Sequence, residues 1–172
     1  MKTILKYPFL FFIILLITTR CDLFDDDKDE INNVRKDQNL VLDLLSNSLD
    51  TINIGSQRFT LDAYLWRDFM PISPPNGKPL IAINWLISID STAIPANIEM
   101  KEQYVIHNDS VWIAAYEPES HTTPIYKIEK VSRNGPKWGP MIYVDIVSKI
   151  IDSKTNRDYF IKIKNIYIGR TD

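Results

Sequence analysis

The chain is predicted to be all-β, a single antiparallel β-sandwich preceded by one short helix. Three observations point there. From Thr51 onward apolar and polar residues alternate with period two, in runs rich in β-branched and aromatic side chains. Proline, glycine and asparagine clusters break these runs at regular intervals. Upstream, only NLVLDLLSNSLD shows helical spacing, through Leu40, Val41, Leu44 and Leu45.

In chain order, Asp37 is placed to cap that helix, and Asn47 or Ser48 to end it. Strands are expected near residues 51–54, 58–69, 79–89, 101–107, 111–117, 124–131, 140–151 and 158–168. Pro71, Pro74, Pro75, Asn76 and Gly77 make one connection, and Gly135, Pro136, Gly139 and Pro140 another. Asn108 and Asp109 read as a two-residue hairpin, which fixes a register: His107 opposite Ser110, Ile106 opposite Val111, Val105 opposite Trp112. In the last strand Tyr159, Ile161 and Ile163 share a face, whereas Ile166 and Ile168 fall out of phase with them, so a bulge near Asn165 is expected. Strands of this number and spacing, each with one wet face, suit an immunoglobulin-like or transthyretin-like sandwich.

The N-terminal residues carry an address. Lys2 and Lys6 precede an apolar stretch from Phe9 to Ile17, followed by the chain's single cysteine, Cys21. A membrane span needs roughly 20 apolar residues. This stretch has about half that, so a removable signal is favoured over a permanent span. Directly after the cysteine comes DLFDDDKDE, a like-charge run that repels itself and stays solvated. Residues 1 to 30 resemble a bacterial lipoprotein signal of the Bacteroidota type, except that Arg20 stands where a small residue is usual. The resemblance implies that residues 1–20 are a signal peptide, that Cys21 is lipidated, and that Asp25, Asp26 and Asp27 belong to an export signal. It implies a protein anchored in the outer membrane and displayed at the cell surface. Residues 21–36 would then be a tether and 37–172 the domain. On charge alone the acidic run is equally a soluble spacer.

Removal of residues 1–20 takes away Lys2, Lys6 and Arg20 and moves the formal net charge from −2 to −5. Such a balance offers nothing to nucleic acid, whose binding depends on phosphate neutralisation. With the only cysteine acylated, a disulfide framework, a Cys/His zinc set and a redox pair are all ruled out. His107 and His121 are the only histidines, and each reads as a solvated polar residue. Five glycines leave little material for a phosphate loop. Asp62 and Asp68 share a strand face, but six strand residues hold them roughly 20 Å apart. That is too far for a glycosidase pair, which needs about 5 to 10 Å. Asp145 reads as an outward-facing strand residue, and Asp90 as a weak calcium candidate in a loop. No catalytic residue, metal site or cofactor is expected.

Aromatics are the remaining signal. Phe59, Leu61, Ala63 and Leu65 form the core face of their strand, which leaves Tyr64 and Trp66 on the wetter face unless the helix covers them. Trp85 aligns with Ile81, Ile83, Ile87 and Ile89 and reads as core, while Trp138, in NGPKWGP, reads as an exposed loop residue. The expectation is a non-catalytic, membrane-anchored structural or protein-binding module at the cell envelope. The alternative is a carbohydrate-binding accessory using Tyr64, Trp66 and Trp138.

Overall fold

In the computed structural model, which describes residues 33–117 and 123–172, the period-two runs become the strands of one curled sheet. The elements are β1 (Val34–Lys36), α1 (Gln38–Asn47), β2 (Thr51–Ile54), β3 (Gln57–Asp68), β4 (Leu80–Ser88), β5 (Ile98–His107), β6 (Ser110–Ala115), β7 (Lys127–Gly135), β8 (Tyr143–Asp152) and β9 (Arg157–Thr171). Residues 1–20, Cys21, Asp25, Asp26, Asp27 and His121 lie outside the described residues.

The strand order is β1-β6-β5-β8-β9-β3-β4-β7, with β2 paired to β3. The expected antiparallel sandwich is corrected in two respects. The strands make one continuous sheet that curls into a half-barrel, and the sheet is mixed, because β3 and β9 pair in parallel. Alternation shows that each strand has one dry face. It does not say whether the dry faces belong to two opposed sheets or to one sheet wrapped around them.

The ends of the curl approach each other where Glu117 N–H donates to the Val131 carbonyl at 2.9 Å and Ser132 Oγ donates to the Ala115 carbonyl at 3.2 Å. Inside lies the main core, with Phe59, Leu61 and Leu65 from β3, Leu80, Ala82 and Leu86 from β4, Val105, Trp112, Ile146, Ile150, Ile161 and Ile168. Gly135 sits against the Trp112 indole, where a Cβ would come within 2.7 Å of the ring.

The β5–β6 hairpin has the expected register at all three pairs. Asn108 takes a positive φ of 54°, a conformation asparagine tolerates better than most residues. The bulge in β9 is also present. Val144 faces Ile166 and Ile146 faces Ile163, so Asp145 opposes both Lys164 and Asn165, and Asn165 is left-handed at φ 59°. The extra residue returns Ile166 and Ile168 to the side of Ile161.

Asp37 caps α1 by accepting from Asn39 N–H and Leu40 N–H, each at 3.0 Å. The helix lies on the outside of the sheet, where Val41 and Leu44 bury against Ile106, Val111 and Val147. At its C-terminal end Lys162 Nζ donates to the carbonyls of Leu45 and Ser48 at 2.8 and 2.7 Å, where a cation also suits the helix dipole. Strand β1, at the end of the segment read as tether, pairs with β6 through Val34 and Trp112. Strand β7 runs three to four residues later than expected at both ends.

Trp85 is a correction. On β4 the fully buried residues are Leu80, Ala82, Asn84, Leu86 and Ser88, while Ile81, Ile83, Trp85 and Ile87 are half-buried on the outside. Both faces of LIAINWLIS are apolar enough to be core, so alternation alone assigns them either way.

Candidate functional site

The outward side of β3 carries Asp62, Tyr64 and Trp66, because the inward side is taken by Phe59, Leu61 and Leu65. Tyr64 is 50% exposed and Trp66 is half-buried. Their ring centroids are 5.4 Å apart with planes 25° from parallel. Helix α1 does not reach them. Its leucine face is engaged over β5, β6, β8 and the first part of β9, around Phe160 and Lys162.

The parallel pairing of β3 with β9 adds a second pair of rings. Leu65 pairs with Ile168 and Trp66 with Gly169, so Tyr64 and Tyr167 immediately precede the first paired residues of the two parallel strands. Tyr167 in turn pairs with Tyr143 across β8–β9, with centroids 5.4 Å apart. Tyr143 is 63% exposed and Tyr167 is 46% exposed. Gly169 lies within this group: a Cβ there would stand 3.6 Å from Tyr64 Oη and 3.8 Å from Trp66 Cβ. The result is a band of four aromatic side chains, Tyr143, Tyr167, Tyr64 and Trp66, across the outside of β8, β9 and β3. Sequence reasoning found Tyr64 and Trp66. It missed the two tyrosines, because only the long-range parallel pairing brings β9 alongside β3.

Next to this band, β4 supplies Ile81 opposite Trp66 and Ile83 opposite Tyr64. Further along, the Trp85 indole N–H donates to Glu129 and Lys127 Nζ sits 4.3 Å from the Trp85 ring centroid, a cation–π contact. Trp85 is thereby occupied on one face.

Trp138 does not join the band. It is half-buried, packs against the main core, and its ring lies 5.6 Å from the His107 imidazole. The loop that carries it is held by Arg67, a side chain only 1% exposed. The Arg67 guanidinium donates to the carbonyls of Lys78, Lys137, Gly139 and Asn76, and burial lowers its pKa. Trp138 is thus half-buried against the core, and not the exposed loop residue that the sequence predicts.

Of the carboxylates considered, Asp62 is exposed and accepts from Ala63 N–H. Asp68 is held below the usual carboxylate range, first by the hydrogen bond from Lys78 Nζ at 2.7 Å and then by Met70 N–H. Among the described residues no group of three or more His, Cys, Asp or Glu side chains is placed to hold a metal ion, and no helix is long and apolar enough to cross a membrane. A cavity of about 440 Å³ lies beside the seam of the curl, floored by Ile98, Met100, Tyr116 and Ile128. On its rim Lys101 pairs with Glu99, and Glu117 with Arg133.

In comparisons with known proteins, the chain matches no family model, no curated protein and no solved structure.

Proposed function

We propose that this protein is a non-catalytic binding module of the bacterial cell envelope, anchored in the outer membrane through a lipidated Cys21 and contacting its partner through the outer aromatic face of β3, β9 and β8. One observation carries the reading. Tyr64 is half exposed and lies nearly parallel to Trp66, on a face that α1 leaves uncovered. Tyrosine and tryptophan combine a large apolar surface with a hydrogen-bonding edge, and a contiguous exposed group of them marks a contact surface more often than it marks chance. The acidic run at Asp25, Asp26 and Asp27 supports display beyond the membrane, since it resembles an export signal. Its self-repulsion also holds the domain away from the bilayer.

Site-specific photo-crosslinking on intact cells tests the surface. A photoreactive side chain at position 64 is expected to capture an envelope component, whereas the same probe at Leu42, which is 58% exposed on α1, is expected to capture none. Equal capture at both positions, or none at either, would overturn the assignment. The anchor is tested by labelled palmitate, whose incorporation is expected to vanish in Cys21→Ser.

A carbohydrate is the second reading of the partner. The half-exposed ring of Tyr64 favours it, because an exposed aromatic face can stack on the apolar face of a sugar ring.

A further inference from the structure

We infer that the four rings Tyr143, Tyr167, Tyr64 and Trp66 form one extended site for an uncharged polysaccharide lying across the strands. This rests on the reading of the outer aromatic face as the contact surface, and adds both the class of ligand and the two tyrosines from β8 and β9. Neighbouring strands are about 4.8 Å apart. Tyr143, Tyr167 and Tyr64, on three successive strands, therefore make a row running across them, and Trp66 extends it along β3. The Tyr143 and Tyr167 rings are tilted by 55° and the Tyr64 and Trp66 rings are stacked, each pair with centroids 5.4 Å apart.

Three features select the ligand. The row contains no charged side chain. The carboxylates that flank it on the same face are Asp62, two residues before Tyr64, Asp68, two residues after Trp66, and Asp145, two residues after Tyr143. Of the nearby lysines, Lys78 is paired with Asp68 and Lys164 lies opposite Asp145. Carboxylates outnumber lysines around the rings, and each lysine stands beside a carboxylate, which disfavours an anionic polymer. Next, the rings stand on the outside of the curled sheet, with the three tyrosines 46 to 63% exposed, a surface that suits an extended chain better than the buried anchor on which a tight protein interface depends. Third, three of the four rings carry phenolic hydroxyls, so the row offers apolar faces bordered by donors and acceptors. That matches a sugar chain, whose rings have apolar faces and hydroxyl rims.

The test is affinity electrophoresis of the full-length protein in nonionic detergent, through gels containing a neutral β-glucan, a neutral mannan or anionic pectate. Retardation by at least one neutral polymer and none by pectate is expected. Tyr143→Ala, Tyr167→Ala and Trp66→Ala should each weaken binding about tenfold, and Leu42→Ala should leave it unchanged. Thermal melting of each variant checks that the fold is retained. If Trp66→Ala abolishes retardation but Tyr143→Ala and Tyr167→Ala do not weaken it, the extended row is wrong. Retardation by pectate alone would reverse the charge argument. Absence of retardation by any polymer, with position-64 crosslinks on cells intact, would overturn the polysaccharide and keep the contact surface, pointing to a protein partner. Loss of both would sink the two readings together.

Discussion

Asp145 Oδ1 accepts the backbone N–H of Asn165 at 3.0 Å, at the point where one residue of β8 faces two of β9. The bulge leaves that N–H without a ladder partner, and the carboxylate supplies one. Asp145 is therefore more than an outward-facing strand residue, as it pins the phase of the second half of β9. Asp145→Ala is expected to lower stability by about 1 kcal/mol. Deletion of Asn165 would turn the fully buried Ile168 outward and is expected to abolish cooperative unfolding. Urea denaturation of the two variants checks both outcomes.

Arg67 ties two loops to the end of β3. Its donors reach Asn76 and Lys78 in the β3–β4 connection and Lys137 and Gly139 in the β7–β8 connection. Replacement by methionine keeps much of the volume but leaves four carbonyls without their donor, and is expected to cost roughly 3 kcal/mol. Arg67→Lys should recover only part of this, because an ammonium cannot span the same fork. Exposure of Trp138, which the second loop carries, makes fluorescence a convenient reporter: Arg67→Met should show a red-shifted emission before global unfolding.

The sequence made local features legible and left long-range ones hidden. The Asn108–Asp109 hairpin, the Asp37 cap and the bulge at Asn165 each follow from a few adjacent residues, and all are found. The parallel contact of β3 with β9 joins Leu65 to Ile168, more than a hundred positions away, and no local pattern encodes it. That one pairing separates a curled mixed sheet from an antiparallel sandwich, and it also completes the aromatic band. Trp85 and Trp138 failed for different reasons. Trp85 lies in a strand apolar on both faces, and Trp138 lies in a loop that looks solvated until Arg67 draws it against the core.

The β8–β9 turn responds to acid. Asp152 accepts from Thr155 Oγ1 at 2.6 Å, Asn97 Nδ2 at 2.5 Å and Lys154 N–H at 3.0 Å. These bonds, that from Thr155 foremost, hold its carboxyl below the usual range against the opposing effect of burial. A lowered folded-state pKa contributes stability that is complete above the ordinary carboxylate value of about 4 and is lost as pH falls through the folded value. Asp152→Asn replaces an acceptor with an amide facing three donors. Its melting temperature is expected to lie below that of the wild type at pH 7, with the gap narrowing as pH drops below about 4. A gap constant from pH 7 to pH 2.5 would show that the charge on Asp152 contributes nothing.

Within the half-barrel, Asn84 and Gln103 are completely buried, and Asn84 Nδ2 donates to Gln103 Oε1. The remaining atoms of the two amides, Asn84 Oδ1 and Gln103 Nε2, have no partner. The pair joins β4 to β5, strands that are far apart in the sheet order, so it acts across the interior and not along a ladder. Asn84→Leu alone strands the Gln103 amide in an apolar core and is expected to cost about 1–3 kcal/mol, as is Gln103→Met. The double variant removes both desolvation penalties, and with similar volumes restored its stability should return to within about 1 kcal/mol of the wild type or exceed it. A double-mutant cycle by urea denaturation measures this as a strong positive coupling. Simple additivity of the two losses would mean that each amide is held by its own surroundings and not by the other.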